Sequence, residues 1–199
     1  MVFHADKGMM LQAIDDLELI AQAQAGDRNA YGELASRHYD GVIRVVYRMC
    51  GDAQIAEDAA QEAFIRAWVS LPSFQPRAPF RSWLFRIAVN AALDTLRRKP
   101  ADTLEDSEES LMLIDRSPSP EGAYLEKEQA QLVQGAVMAL PEASRAVLVL
   151  REYGGLAYDE IASSLEIPVG TVMSRLNYAR SILRERLLEY HLETERSYA

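Results

Sequence analysis

Apolar residues recur along the chain at three- and four-residue steps, the spacing of one face of a helix. Leu17, Ile20, Ala21 and Gln24 place a short stripe ahead of a break at Gly26-Asp27. Asp27 is an N-cap for a second helix, in which Tyr31, Leu34, Tyr39, Val42, Val45, Val46 and Met49 continue to Gly51. Asp52 caps a third helix with Ile55, Ala59, Ala63 and Trp68 on one face. Leu71-Pro72-Ser73 ends it, and Pro76 and Pro79 keep the next segment extended. Phe80 to Arg98 then reads as a fourth helix, with Trp83, Leu84, Ile87, Ala91 and Leu96 turned inward. In the second half Leu132, Val133, Val137 and Leu140 run up to Pro141, a first-turn residue for a helix holding Val147, Leu148 and Leu150. Gly154-Gly155 breaks that helix, Tyr158 to Leu165 forms a short one, and Glu166-Ile167-Pro168 makes a tight turn. A longer helix opens at Val169 or Gly170 and runs through Leu188. No alternating run predicts a strand. The expected fold class is all-α.

Punctuation divides the chain in two. Residues 15–99 and 124–192 are periodic and apolar, whereas 100–123 hold Pro100, Pro118, Pro120 and Gly122. Between Asp102 and Asp115 this middle stretch carries six acids and no base. The expectation is two small helical domains joined by an acidic, flexible linker, with no internal repeat. Met9, Met10, Leu11 and Ile14 can extend the first helix backwards.

Composition narrows the function class. Of 199 residues, 49% are apolar and 26% charged, the balance of a globular chain rather than a disordered one. No apolar run approaches the roughly 18 residues of a membrane span, and the first residues lack the pattern of a signal peptide. A cytoplasmic protein is expected. Cys50 is the single cysteine, which excludes a disulfide framework and a cysteine-rich zinc site. His4, His38 and His191 stand apart, and Asp15-Asp16 and Glu108-Glu109 are acid pairs in polar surroundings. No catalytic residue, metal or cofactor is expected.

The net charge of −9 conceals local segregation. Three segments carry candidate chemistry. The first is the helix–turn–helix at 158–188. Ile161, Ala162 and Leu165 face Val172 and Leu176, leaving Thr171, Met173, Ser174, Arg175, Asn177 and Tyr178 outward. These hydroxyl, guanidinium and amide groups suit phosphates and base edges in a major groove. From Thr171 to Arg186 four arginines stand against Glu185 alone. The competing reading is a helical hairpin with a solvated basic face.

The second segment, Phe74 to Lys99, sets Arg77, Arg81, Arg86, Arg97, Arg98 and Lys99 against Asp94 alone. It interleaves Phe74, Phe80, Trp83 and Phe85 with Asn90. Cations that track phosphates, with aromatics and an amide to hold unstacked bases, suit single-stranded or melted DNA. Trp83 and Phe85 fit a core role equally well, whereas Phe74, on a proline-flanked loop, is expected to be exposed. The third segment is acidic. Asp52, Glu57, Asp58 and Glu62 lie in eleven residues without a base, and Asp58, Gln61, Glu62 and Ile65 share a helix face. That face suits a basic protein partner, or else is simply solvated.

In order along the chain, these residues include Asp58-Ala59-Ala60-Gln61-Glu62-Ala63-Phe64, Phe80-Arg81-Ser82-Trp83-Leu84-Phe85-Arg86-Ile87-Ala88-Val89-Asn90, the acidic linker, Leu140-Pro141, Leu156-Ala157-Tyr158-Asp159-Glu160-Ile161-Ala162 and Val169-Gly170-Thr171-Val172-Met173-Ser174-Arg175-Leu176. The series resembles the extracytoplasmic-function (ECF) sigma factors of the sigma-70 family, over about residues 15–190. The resemblance implies a non-enzymatic protein that brings core RNA polymerase to promoters. Its first domain, sigma-2, would bind core polymerase and open the minus-10 element. Its second, sigma-4, would read the minus-35 element and touch the polymerase flap. Asp58, Gln61, Glu62 and Phe64 would dock on the clamp helices of the polymerase. Phe74 and Asn90 would line a pocket for a flipped minus-10 base, with Phe80, Arg81, Trp83, Arg86, Arg97 and Arg98 beside it. Thr171, Met173, Ser174, Arg175, Asn177 and Tyr178 would face the minus-35 element. The linker would follow the polymerase's RNA path, and an anti-sigma factor would hold the free protein inactive. Met173 stands where many members carry Lys or Arg, and Asn177 and Tyr178 where an aromatic or basic residue is common. Ala157 replaces a usual Ser N-cap, a loss of roughly 1 kcal/mol. The alternatives are a stand-alone helix–turn–helix regulator binding a duplex palindrome as a dimer, and an adaptor that binds no DNA.

Overall fold

The computed structural model describes residues 15–98 and 120–197. His4, Met9–Ile14 and residues 99–119, which include Glu108-Glu109 and most of the expected linker, fall outside the described residues, whereas 120–123 of that stretch open a helix. Among the described residues there are eight α-helices: α1 (Asp16–Gln24), α2 (Arg28–Cys50), α3 (Ala53–Ser70), α4 (Phe80–Arg98), α5 (Pro120–Met138), α6 (Glu142–Glu152), α7 (Tyr158–Leu165) and α8 (Val169–Ser197). A 3₁₀ turn at Leu71–Ser73 follows α3. The chain is all-α, as the periodicity predicts.

Local chemistry sets the boundaries. Asp27 Oδ1 accepts from the amides of Asn29 and Ala30 at 2.8 and 3.3 Å, satisfying two otherwise orphaned donors of α2. At the other end Gly51 adopts a left-handed backbone, φ 79°, and its N–H closes on Tyr47 O at 2.8 Å. Asp52 then caps α3 through the Ile55 amide at 2.7 Å. In α7 the missing Ser cap at Ala157 is partly replaced, because the Glu160 carboxylate accepts from the Ala157 N–H at 2.7 Å.

The first domain packs α2, α3 and α4 around Leu34, Val42, Val46, Ile55, Leu84 and Val89. α3 packs closely on α4, and both helices bury alanines: Ala59, Ala60, Ala63 and Ala67 on α3, Ala88, Ala91 and Ala92 on α4. Small side chains let the two helix axes approach closely. The expected stripe of α1 is out of phase. Leu19, Ile20 and Ala23 are buried while Leu17 points to solvent, so only Ile20 of the expected set faces the core. The two phases differ by one helical step, which so short a helix does not resolve in sequence.

In the second domain α6, α7 and α8 enclose Leu150, Leu156, Ile161, Val172, Leu176 and Ala179. The turn between α7 and α8 passes through Glu166, the single non-glycine residue with positive φ (54°) among the described residues. Gly154 is required by space. A Cβ there would lie 2.6 Å from Leu150 O and 3.1 Å from the Phe85 ring. Gly154→Ala should therefore cost about 1–3 kcal/mol, the range of overpacking, read as a lower urea midpoint of the full chain. An unchanged midpoint would show that the turn yields.

The two helical domains also touch each other. α4 packs on α7 and α6, and α2 on α5 and α6.

Candidate nucleic-acid interfaces

The acidic segment forms an exposed ridge along α3. Asp58 and Gln61 are exposed, and Phe64 is half-buried beneath Tyr39, ring centroids 6.1 Å apart. Glu62 holds Arg66 at 2.8 Å, and the same guanidinium reaches Asp94 of α4 at 2.7 Å. That bond, chiefly, holds the Asp94 carboxyl below the usual carboxylate range. The ridge continues in apolar side chains, Ile65 at 60% and Val69 at 72% exposure. Val69 escaped the sequence reading because it lies beyond the acidic cluster. An exposed apolar strip bordered by carboxylates suits a partner that brings both apolar and basic groups.

Asn90 lies on the outer face of α4, in a shallow cleft of about 310 Å³ with Ile65, Val69, Ser70 and Ile87. Phe74 does not share it. Its side chain is only 7% exposed, contrary to the exposure expected of a loop aromatic. Gln24 of α1 explains the burial: its amide donates to Leu71 O at 3.0 Å and Phe74 O at 2.8 Å, fixing the loop. The ring then packs against Phe80 and Trp83, centroids 5.7 and 4.9 Å away. Phe80 is buried, Phe85 is core, and Trp83 is half-buried. This aromatic cluster floors a second cleft of about 420 Å³, rimmed by Asp16, His38, Arg77 and Arg81. The structure therefore places Phe74 and Asn90 in two clefts rather than one pocket.

The basic edge of α4 meets carboxylates of the second domain. Arg86 pairs with Glu166, and Arg97 lies 3.5 Å from Glu142. Arg81 donates to Gly155 O at 3.4 Å. Ser82 Oγ donates to Glu160 at 2.9 Å, and Ser164 Oγ donates to Ser82 O at 3.2 Å. Deeper in the same interface Arg48 donates to Gln134 at 3.0 Å and lies 4.6 Å from the Tyr153 ring centroid. Arg145 is buried and held by carbonyl oxygens, of Met49 at 2.9 Å, Met138 at 2.6 Å and Leu140 at 3.0 Å. Burial lowers its pKa, although the guanidinium stays charged. The hydrogen bonds that cross between the two domains join residues 45 to 96 positions apart, and no helical spacing announces them. Arg98 remains exposed at the end of α4.

On α8, Val172, Leu176 and Ala179 point into the domain. Met173, Ser174, Asn177 and Tyr178 are exposed, and Thr171 and Arg175 are half-buried on one flank. The predicted outward set is thus on one helix, with its centre at positions 173–178. Among the described residues no helix is long and apolar enough to cross a membrane.

Comparison with known proteins gives two matches in chain order. Residues 34–100 match the family model of Sigma-70 region 2, and residues 130–183 that of Sigma-70, region 4. The chain is 37% identical over 176 residues to the ECF RNA polymerase sigma factor SigW of Bacillus subtilis, covering 84% of this chain and 94% of that one. It is 38% identical to the RNA polymerase sigma-H factor of Pseudomonas aeruginosa, covering 89% and 96%. Among solved structures it resembles CnrH in complex with the cytosolic domain of CnrY, with a TM-score of 0.66 and 29% identity over 88% of this chain and 97% of that one.

Proposed function

The chain belongs to the ECF sigma factors of the sigma-70 family, and on that footing we propose a division of labour among its helices. It is an RNA polymerase sigma factor: it binds core polymerase, directs it to promoter DNA and is controlled by an anti-sigma factor. The chemistry of RNA synthesis belongs to the polymerase, and the chain acts as an initiation factor in the cytoplasm.

The α3 ridge, Asp58, Gln61, Glu62 and Phe64 with Ile65 and Val69, is the polymerase-docking surface. The face of α4 that carries Asn90 takes the non-template strand of the minus-10 element, with Arg81, Arg86, Arg97 and Arg98 along its phosphates. Phe74, Phe80 and Trp83 hold the loop that leads into α4. The outer face of α8 reads the duplex minus-35 element. Residues 15–99 and 124–192 are the two working domains, with 100–123 between them. One observation carries this assignment: a single chain presents an amide-bearing cleft on a cationic helix and, separately, an open helix–turn–helix face. A stand-alone regulator would leave the first of these without a role.

Run-off transcription with bacterial core polymerase and a pool of promoter fragments tests the reading. Products should depend on the protein. Asn90→Ala should lower open-complex formation about tenfold while leaving core binding intact, since it removes one bidentate amide. Asp58→Lys with Gln61→Lys should instead weaken core binding itself. Protein-independent products, or equal loss of both steps in both variants, would refute the assignment.

A further inference from the structure

Asn90, Asp94 and Arg98 stand at four-residue steps along one side of α4. Asn90 and Arg98 are about 12 Å apart along the helix axis, and Asp94 lies midway. Arg98 is kept beside that position, since its Nε donates to the Asp94 main-chain oxygen at 3.1 Å. Asp94 is also the one acid between Phe74 and Lys99. Its side chain is 44% exposed, so a strand that reaches from Asn90 to Arg98 passes a carboxylate open to solvent. Left bare, that carboxylate would repel each phosphate that approached it.

The neighbouring helix covers this charge. Arg66 of α3 places Nη1 2.7 Å from Asp94 Oδ2, a bond between residues 28 positions apart. Its Nε donates to Glu62 at 2.8 Å, so the planar guanidinium is held from two directions. The same side chain lines the cleft that holds Asn90, with Ile65, Val69 and Ile87. Arg66 first, then Arg98 and Arg97, favour the ionised form of Asp94, so the acid carries a charge that needs a cation to offset it.

We infer that Arg66 is a positioning residue of the strand site: it masks Asp94, so that the phosphates of a melted strand can run along α4 from Asn90 to Arg98. The inference rests on the minus-10 role proposed above for this face of α4. Arg66 acts on the strand through Asp94 and not by a grip of its own. The pair is neutral as a whole, and the path beyond the amide then ends on a cation without an anion in the way. Exposed ion pairs contribute little to stability, so the effect of this one lies in the field it leaves for DNA. Charge is what the mask requires, and a lysine at the same place supplies most of it.

The test uses the holoenzyme of this chain with bacterial core polymerase. Its affinity is measured for a fluorescent single strand that carries the minus-10 element of a promoter recovered by run-off transcription. Arg66→Gln should weaken binding about threefold, the effect of one unit charge some 7 Å from a phosphate in water. Adding Asp94→Asn to Arg66→Gln should restore it, because the charge to be masked is gone. Arg66→Lys should recover most of the loss. Asp94→Asn alone should bind at least as tightly as the wild type. Replacing each phosphate in turn by a neutral methylphosphonate should find one position at which Arg66→Gln loses its defect. A bridge that merely ties two helices together predicts the reverse: Asp94→Asn weakens binding and the double variant stays weak. A direct grip of Arg66 on the strand also leaves the double variant weak. Either result, or wild-type binding by Arg66→Gln, would overturn the inference while leaving the minus-10 role intact. Equal binding of this strand by Asn90→Ala and the wild type would overturn that role and this inference with it.

Discussion

Phe74→Ala lowers the stability of the first domain by about 3 kcal/mol, the cost of deleting a buried phenyl ring from a site that collapses only in part. The ring is nearly inaccessible and is held by Phe80 and Trp83, with its main chain pinned by Gln24. Urea unfolding should show the loss as a lower midpoint with an unchanged slope. Transcription should fall with it, because the loop that leads into α4 loses its packing. Gln24→Ala should give a smaller loss of the same kind, since it frees two carbonyl oxygens without opening a large cavity. A Phe74→Ala protein as stable as the wild type, yet defective on melted DNA, would return Phe74 to the exposed role expected from its proline-flanked loop.

Reversing charge at Glu160 and Glu166 parts the two domains. Each carboxylate now satisfies a group on the α4 edge, Ser82 and Arg86. Lysines there would set two cations beside Arg81 and Arg86. Exposed ion pairs contribute little singly, but reversal replaces attraction by repulsion at two places and leaves the Ser82 hydroxyl without its acceptor. Distance between a dye on α3 and one on α8 should increase, and the wild type should move the same way as salt rises and screens the pairs. Single-stranded minus-10 DNA should then bind the free variant about tenfold more tightly. Arg86 cannot hold a phosphate while it holds Glu166, so strand affinity is scaled by the fraction of open chains. An unchanged dye distance in the double variant would mean that the buried Arg48–Gln134 and Arg145 contacts suffice to keep the domains together.

Much of this architecture is legible from sequence because local chemistry decides it. Asp27, Gly51 and Asp52 punctuate α2 and α3 where their side-chain oxygens and φ freedom require. α4 and α7 begin and end where spacing and proline place them. The outward set on α8 follows from helical phase alone. Three features do not follow. The α1 stripe is too short to fix its phase. Phe74 is buried by an amide from a helix some fifty residues away, and no local pattern encodes that bond. The docking of the second domain depends on Ser, Arg and Glu side chains that read as solvated until their partners are known. Charge segregation marks α4 as cationic but does not reveal that carboxylates of the same chain pair with its arginines.

The contact between α3 and α4 has a mechanical consequence. Close packing of the two helices, together with the Arg66–Asp94 bridge between them, ties α3 and α4 into one unit. The acidic ridge is on one of them and Asn90 on the other. Whatever grips the ridge therefore sets the position of the amide directly, without a hinge to absorb the motion. On the assignment proposed above, a strand arriving at Asn90 meets a backbone position already fixed by the packing of α4 on α3.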